Sequence, residues 1–175
     1  MKEVGVFGVD PGGATGLAWG VFDPGSGSIA EVLQHRSHTG SLTVEGDERT
    51  QIRLIAGAWQ RFYKECIDAD LEHTQIWFVC EDYIYTAGNT YGGDSAGIST
   101  SLIWGVEGYR MGIADAKRGS LPIPTMVLQT AGNAKGFVTS QRLKDWGIWV
   151  VGKDHERSAW QHVAYFLQRY LSQHR

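Results

Sequence analysis

Two acidic residues stand where short apolar segments end, and they carry the clearest chemical signal in the chain. Asp10 follows the apolar run at 4–9 and precedes a Pro-Gly-Gly turn, while Glu81 follows the apolar run at 75–80. Short apolar runs bounded by turn residues indicate buried strands. A carboxylate at the end of a buried strand is costly unless a partner or a metal compensates it. For Asp10 taken alone, a turn aspartate bonded to its own backbone explains the pattern at least as well.

A third group of polar residues opens the last predicted helix. Asp154, His155 and Ser158 fall within one helical turn. His155 and Ser158 lie beside the apolar stripe of the helix, and Asp154 points further away from it. Alone, Asp154 suits a helix cap and His155 a boundary histidine. If the strands before Asp10 and Glu81 are neighbours, both carboxylates emerge at one edge of the sheet. Together these residues form an oxygen-rich cluster of the kind that binds Mg²⁺, and two such ions can drive phosphodiester hydrolysis.

The first half of the chain predicts three strands and a helix. Apolar runs on both sides of the Pro-Gly-Gly turn predict a hairpin over 4–22, and loose alternation over 28–39 predicts a third strand. A helix begins at Asp47, because apolar residues then recur at intervals of three and four over four turns. This stripe is expected to pack in the core: Ile52, Ile55, Ala56, Trp59, Phe62, Tyr63, Cys66 and Ile67.

The second half alternates strands and helices. It predicts a strand at 75–80, a long polar loop at 83–97, a helix at 99–117, a strand at 122–130, a short helix between Thr139 and Gly147, and a final helix from Asp154. Three antiparallel strands followed by a parallel βαβ half make a mixed five-stranded α/β sheet with helices on its faces. The length favours a single domain over residues 1–175.

Composition and charge bound the class of protein. With 42% hydrophobic and 20% charged residues, the chain is typical of a soluble globular protein. It contains neither a signal peptide nor a long apolar span, so we expect a cytoplasmic protein without a membrane partner. Residues 1–116 contain 7 Lys and Arg against 16 Asp and Glu, whereas residues 117–175 contain 9 against 3. This asymmetry indicates an anionic partner, although an acidic solvated helix face explains it equally well.

Four segments of the chain resemble the RuvC-type Holliday junction resolvases of the RNase H-like superfamily, and most closely their diverged phage-encoded versions. The first match is the tightest, and the four follow the family's order over nearly the whole chain: G-V-D-P-G-G-A-T-G-L-A at 8–18, V-C-E-D-Y at 79–83, A-G-N-A-K-G at 131–136 and D-H-E-R-S-A-W-Q-H-V at 154–163. The resemblance implies an RNase H-like fold, a homodimer, two Mg²⁺ or Mn²⁺ ions per site, and paired nicks across a four-way DNA junction.

The same resemblance assigns catalytic roles by position. Asp10 matches the family's first catalytic aspartate, and Glu81 matches its glutamate. His155 matches the Asp or His that begins the last motif. Lys135 resembles the basic residues that approach the scissile backbone.

Ser158 departs from the family pattern, which has an acid three residues after the position of His155. A neutral hydroxyl is a far poorer Mg²⁺ ligand than a carboxylate. Three outcomes are open: Asp154 supplies the missing charge, a water fills the position, or the enzyme is weakened. We favour Asp154, and the candidate metal-binding residues are therefore Asp10, Glu81, Asp154, His155 and Ser158.

Candidate DNA-binding residues lie in the basic segment and in the polar loop. Lys135, Lys153 and Arg157 belong to the basic segment and are expected to contact phosphates. Tyr85 and Tyr91 lie in the loop, where they either stack on an unpaired base at the junction centre or are ordinary loop tyrosines.

Two other functions are left open by the sequence. A protein of this fold could recognise junction shape through backbone contacts without cutting, and Ser158 favours that interpretation. An actin-like or sugar-kinase-like nucleotide-binding domain also begins with Asp-x-Gly followed by Thr, a loop that cradles phosphate. However, 175 residues suffice for only one of the two lobes that enclose a nucleotide.

Overall fold

The computed structural model describes residues 2–68, 75–82 and 125–174, together with positions 105, 107 and 108. Within these ranges the strands are Val4–Asp10 (β1), Thr15–Phe22 (β2), Ser37–Val44 (β3), Gln75–Asp82 (β4) and Thr125–Thr130 (β5). The helices are Ile29–Gln34 (α1), Glu48–Asp68 (α2), Ala131–Phe137 (α3), Ser140–Asp145 (α4) and Asp154–His174 (α5). The predicted loop at 83–97 and most of the predicted helix at 99–117 lie outside the described residues. Among the described helices, none is long and apolar enough to cross a membrane.

The strands form one mixed sheet in the order β3-β2-β1-β4-β5. The first three strands are antiparallel, while β4 runs parallel to both β1 and β5. This arrangement confirms the predicted mixed five-stranded α/β architecture. It also makes β1 and β4 neighbours, as the candidate site requires.

The two long helices cover opposite faces of the sheet, and the described residues of their predicted apolar stripes lie in the core or pack against it. On one face, α2 packs against an aromatic cluster centred on Phe7, which stacks with Phe78 and meets Trp59 edge-on. On the other face, α5 buries the apolar residues at its three- and four-residue spacing. These are Ala159, Val163, Phe166, Leu167, Tyr170 and Leu171.

Glycines allow α5 to lie unusually close to the sheet. A Cβ placed at Gly8 in β1 would lie 2.6 Å from Val163 Cγ2 and 2.9 Å from the carbonyl oxygen of Ala159. A Cβ at Gly16 in β2 would overlap the main-chain carbonyl of His155. Both clashes involve backbone, so no side-chain rotation could relieve them. The first turn of α5 is therefore pressed against the strand next to Asp10.

The predicted strand over 28–39 is wrong in its first part. Residues 29–34 form α1, and the third strand begins only at Ser37. The Ser28 hydroxyl accepts a hydrogen bond from the backbone N–H of Glu31, while the Glu31 carboxylate accepts one from the backbone N–H of Ser28. This reciprocal pair is a capping box, which starts a helix. The apolar residues Ile29, Val32 and Leu33 follow helical rather than alternating spacing.

The predicted boundaries of the last two helices are confirmed. Thr139 caps α4, its hydroxyl accepting a hydrogen bond from the backbone N–H of Arg142. Gly147 follows α4 with φ of +69°, a left-handed conformation that glycine adopts without strain. The final helix begins at Asp154 as expected, although the carbonyl of the preceding Lys153 accepts the first helical hydrogen bond. Asp154 is thus the first residue of α5 rather than its cap.

Candidate metal centre

Asp10 and Glu81 lie side by side at the carboxyl ends of neighbouring parallel strands. The register pairs Val9 of β1 with Cys80 of β4, so the next residue on each strand is one of the two acids. Asp10 is only 7% exposed and Glu81 9%. The structure therefore brings together the two carboxylates that the sequence places at strand ends.

The turn after Asp10 is fastened to α2 by a buried amide. Gln51 Nε2 donates hydrogen bonds to the carbonyl oxygens of Gly13 and Gly46, at 2.9 and 3.0 Å. The hydroxyl of Thr15 donates to Gln51 Oε1 at 2.6 Å. Because buried amides left unpaired are costly, this network specifies one conformation for the turn. The network thereby holds the chain in place directly after Asp10, at the end of β1.

Lys135 lies between the two carboxylates. It belongs to α3, which starts directly after β5 with the hydroxyl of Thr130 as its N-cap. Its Nζ atom is 2.8 Å from Asp10 Oδ1 and 2.8 Å from Glu81 Oε2. The ammonium thus neutralises part of the negative charge that these acids concentrate, while its side chain remains about one-third exposed (36%).

His162 completes the group, and sequence reasoning missed it. Its ring is fully buried on α5, with Nε2 at 3.0 Å from Glu81 Oε2 and Nδ1 at 3.1 Å from Gln129 Oε1. The sequence did contain a signal, because His162 follows His155 by seven residues, which is two helical turns on the same face. A histidine within an apolar stripe resembles an ordinary core residue, so this spacing alone does not identify a ligand.

The two carboxyl groups differ in acidity because their environments differ. Burial raises the pKa of Asp10 to about 6, and a hydrogen bond with Glu81 adds to the rise against the opposing effect of Lys135. Burial would also raise the pKa of Glu81, but hydrogen bonds with His162, Asp10 and Lys135 outweigh it and lower the pKa to about 2. Near neutral pH both acids are therefore largely ionised against one ammonium. The remaining negative charge is of the sign that attracts a cation.

These residues fit a divalent metal ion. Ligand atoms of Asp10, Glu81 and His162 all lie within 4.8 Å of one another. Two carboxylates and an imidazole are ligand types that Mg²⁺, Mn²⁺ and related ions accept. The group includes neither Asp154 nor His155.

His155 lies at the rim of this group. Its Nδ1 atom is 3.8 Å from Asp10 Oδ2, and its side chain is half-exposed (48%). Asp154 points away into solvent, 83% exposed, and forms an ion pair with Arg157. Ser158 is half-buried on the same helix. Of the two titratable residues predicted from the first turn of α5, His155 lies close to the carboxylates and Asp154 does not.

The predicted DNA-binding cations all have partners within the protein. Arg157 donates a hydrogen bond to the carbonyl of Val150 at 2.7 Å and lies over the ring of Trp149. Lys153 Nζ is 3.5 Å from Glu156 Oε1, and Lys135 is held by the two carboxylates. Tyr85 and Tyr91 lie outside the described residues.

Glu156 is a second residue that sequence reasoning missed. Although charged, it is only 5% exposed, and its carboxylate accepts hydrogen bonds from the hydroxyls of Ser41 and Thr43 in β3. These bonds tie the first turn of α5 to the edge of the sheet. Together with the close approach at Gly16, they position His155 beside Asp10.

Comparisons with known proteins reveal a shared fold. No protein-family model matches the chain, and no curated protein matches it either. The structure is similar to Thermus thermophilus RuvC, with a TM-score of 0.57 and 11% identity over 97% of each chain. It is also similar to T. thermophilus RuvC in complex with a Holliday junction substrate, with a TM-score of 0.54 and 11% identity over 96% of each chain. The chain therefore has the RuvC-type, RNase H-like fold that its sequence motifs implied.

Proposed function

We propose that this chain is a divalent-metal-dependent endonuclease that resolves four-way DNA junctions. The observation that carries the proposal is the buried group of Asp10, Glu81 and His162, with Lys135 between its carboxylates. The group lies at the carboxyl ends of adjacent parallel strands, where open α/β sheets place their sites. The likeness in fold to a RuvC captured with a Holliday junction substrate supports branched DNA as the substrate.

The chemistry follows from the positions of the side chains. A bound divalent ion would supply Lewis-acid stabilisation and a more acidic water. Asp10 and Glu81 would hold it, with strand ends and the Gln51 network limiting their movement. His155, half-exposed and 3.8 Å from Asp10, stands where a neutral imidazole could accept a proton from an attacking water. Lys135 offers positive charge to a phosphate once an ion neutralises the carboxylates.

Further details of the proposal come from the family resemblance. They are two Mg²⁺ or Mn²⁺ ions per site, a homodimer whose paired sites make paired nicks, and a phage-encoded protein acting in the host cytoplasm. Residues 1–175 would form a single nuclease domain. The excess of basic residues over 117–175 is consistent with a DNA partner.

The direct test is cleavage of a labelled four-way junction. Purified protein is incubated with Mg²⁺ or Mn²⁺, using linear duplex of the same sequence and a chelator as controls. We expect symmetric nicks in the junction only, and only with a divalent ion. Junction binding without cleavage in either metal would instead favour the non-cleaving DNA-binding protein.

Glu81→Gln should greatly reduce cleavage, whereas Asp82→Asn should have a much milder effect. Successive side chains on a strand point to opposite faces, and Glu81 is the buried one beside Asp10. Removing a ligand carboxylate loses several kcal/mol of charge stabilisation, or about 10³-fold in rate. Single-turnover cleavage rates for the two variants check this. A larger loss for Asp82→Asn would mean that the other face of β4 carries the site.

Lys135→Ala should reduce the salt dependence of junction binding only when a divalent ion is present. Without an ion the ammonium is occupied by Asp10 and Glu81, so it is not available to a phosphate. With Ca²⁺ bound, we expect the log–log slope of affinity against salt to fall by about one unit. Arg157→Ala serves as the comparison, because its guanidinium is held against Trp149. Equal slopes for wild type and Lys135→Ala in Ca²⁺ would place the phosphates elsewhere.

Asp154→Asn should retain most of the cleavage activity, and Ser158→Asp should raise it. Asp154 is exposed and paired with Arg157, so its loss leaves the buried group intact. An acid at 158 adds a carboxylate one turn after His155, at the position where the resolvase family has one. The metal concentration for half-maximal cleavage is measured for both variants, with a melting curve for each. If Asp154→Asn were as damaging as loss of Asp10, the carboxylate would have moved to position 154.

A further inference from the structure

His162 is held by partners at both of its ring nitrogens. Glu81 and Gln129 are paired in register across β4 and β5, so their side chains project from the same face of the sheet towards α5. His162 meets both, with Nε2 at 3.0 Å from Glu81 Oε2 and Nδ1 at 3.1 Å from Gln129 Oε1. All three side chains are buried, with Gln129 only 7% exposed. Three separate elements thus converge on one imidazole.

This arrangement assigns different roles to the two nitrogens. With the Gln129 oxygen facing it, Nδ1 carries a proton and donates it to the amide. Nε2 is then the nitrogen directed at Glu81, where it can either donate a proton to the carboxylate or offer its lone pair to a cation. In metalloproteins, a hydrogen bond at one ring nitrogen orients the other towards the ion.

We propose that Nε2 of His162 is the third metal ligand beside Asp10 and Glu81, and that Gln129 is the positioning residue that holds its ring in the ligating tautomer. The inference rests on the proposed metal-dependent function and refines its site. His162 belongs to the group whose ligand atoms lie within 4.8 Å of one another, and its Nε2 is the nitrogen 3.0 Å from Glu81 Oε2. His155 lies outside that group and is half-exposed. Burying an imidazole among polar side chains costs more free energy than burying an apolar residue at the same place. A function at the site would account for the presence of the ring.

The ligand set also bears on the choice of metal. Carboxylates alone favour hard ions such as Mg²⁺, while an imidazole shifts preference towards transition metals. We therefore expect tighter binding of Mn²⁺ than of Mg²⁺ at this site.

The test uses the full chain with Mn²⁺ alone, without DNA. Electron spin-echo spectroscopy of bound Mn²⁺ detects a directly coordinated nitrogen. We expect nitrogen modulation in the wild type, its loss in His162→Gln, and its retention in His155→Gln. Gln129→Met removes the acceptor for Nδ1 and should weaken Mn²⁺ binding about 10–100-fold. Gln129→Glu, which still accepts that hydrogen bond, should restore binding relative to Gln129→Met.

A measurement on the unaltered protein covers the case in which His162→Gln does not fold. With ¹⁵N-labelled histidine, the wild-type modulation should change to the ¹⁵N pattern, and ring resonances of the ion-free protein should report a proton on Nδ1 of the buried histidine. Mn²⁺ bound without a nitrogen ligand, or modulation lost only in His155→Gln, would overturn this inference and leave the proposed nuclease standing. Failure to bind any divalent ion would overturn both.

Discussion

Asp10→Asn is expected to abolish divalent-dependent cleavage of a four-way junction while leaving junction binding intact. Asp10 lies at the end of β1, 7% exposed, and its carboxylate faces Glu81, Lys135 and the rim residue His155. An amide has nearly the same shape but lacks the charge that holds a divalent ion. Losing several kcal/mol of electrostatic stabilisation corresponds to a fall in rate of about 10³-fold or more.

Single-turnover cleavage rates and equilibrium binding in Ca²⁺ would distinguish a loss of cleavage from a loss of junction binding in Asp10→Asn. Asp145→Asn provides a matched control, because it makes the same chemical change at an exposed residue on α4. We expect the control to cut and bind like the wild type. Cleavage by Asp10→Asn at the wild-type rate would show that Asp10 is not part of the metal site.

The same variant should be more stable than the wild type when metal is chelated. Burial raises the pKa of Asp10 to about 6 from an ordinary value of 3.8, so the folded protein favours the protonated form. The folded state therefore loses stability as the pH rises from about 4 to about 6, and the loss persists at higher pH. Asn cannot ionise and escapes this cost. We expect a gain of about 1–3 kcal/mol above pH 6, fading towards pH 4.

Melting curves of wild type and Asp10→Asn, recorded in chelator between pH 4 and above pH 6, test whether the substitution raises or lowers stability. Glu81 has its pKa lowered to about 2, so its stabilising contribution is lost only as the pH falls below its ordinary range. Besides Asp10, this lowering is caused by His162 and Lys135, which are present in both proteins. Lower stability of Asp10→Asn above pH 6 would mean that the ion pair with Lys135 outweighs the cost of burying the charge.

Gly16→Ala should destabilise the protein and impair cleavage, although residue 16 carries no functional group. A Cβ there would overlap the main-chain carbonyl of His155, so α5 or β2 must move. Forcing extra atoms into a packed region costs about 1–3 kcal/mol, and often more when backbone must shift. Because His155 lies in the displaced turn, we also expect cleavage to fall by about 10²-fold, as misplacement by about 1 Å can cause.

Gly13→Ala is the matched control for this prediction. Gly13 lies in the turn between Asp10 and β2, and nothing lies within 4 Å of a Cβ placed there. Melting temperature and single-turnover cleavage are compared for the two variants. If Gly16→Ala matched Gly13→Ala in both measurements, the close packing of α5 on β2 would not be what positions the rim of the site.

The sequence by itself determined the mixed architecture of the sheet and the position of two acidic residues, Asp10 and Glu81, at its strand ends. Apolar runs ending in Asp10 and Glu81 are local patterns, and parallel neighbouring strands bring their ends to the same edge whatever the details of packing. The stripes of α2 and α5 were equally legible, since helical spacing of apolar residues reflects which face is buried. Among the described elements, α3 was not predicted, and α1 was predicted as a strand although its helix is encoded locally. The Ser28–Glu31 capping box that starts this helix is readable in the sequence, beside a loose alternation that is typical of a strand.

Only the tertiary structure decided which residues of α5 reach the carboxylates. Spacing along a helix shows which residues share a face, but not how deep each lies or where the helix meets the sheet. Those are set by long-range contacts: the missing Cβ atoms at Gly8 and Gly16, and the bonds from Glu156 to β3. With α5 pressed onto the strands in this way, His162 is buried against Glu81 while Asp154 is left in solvent.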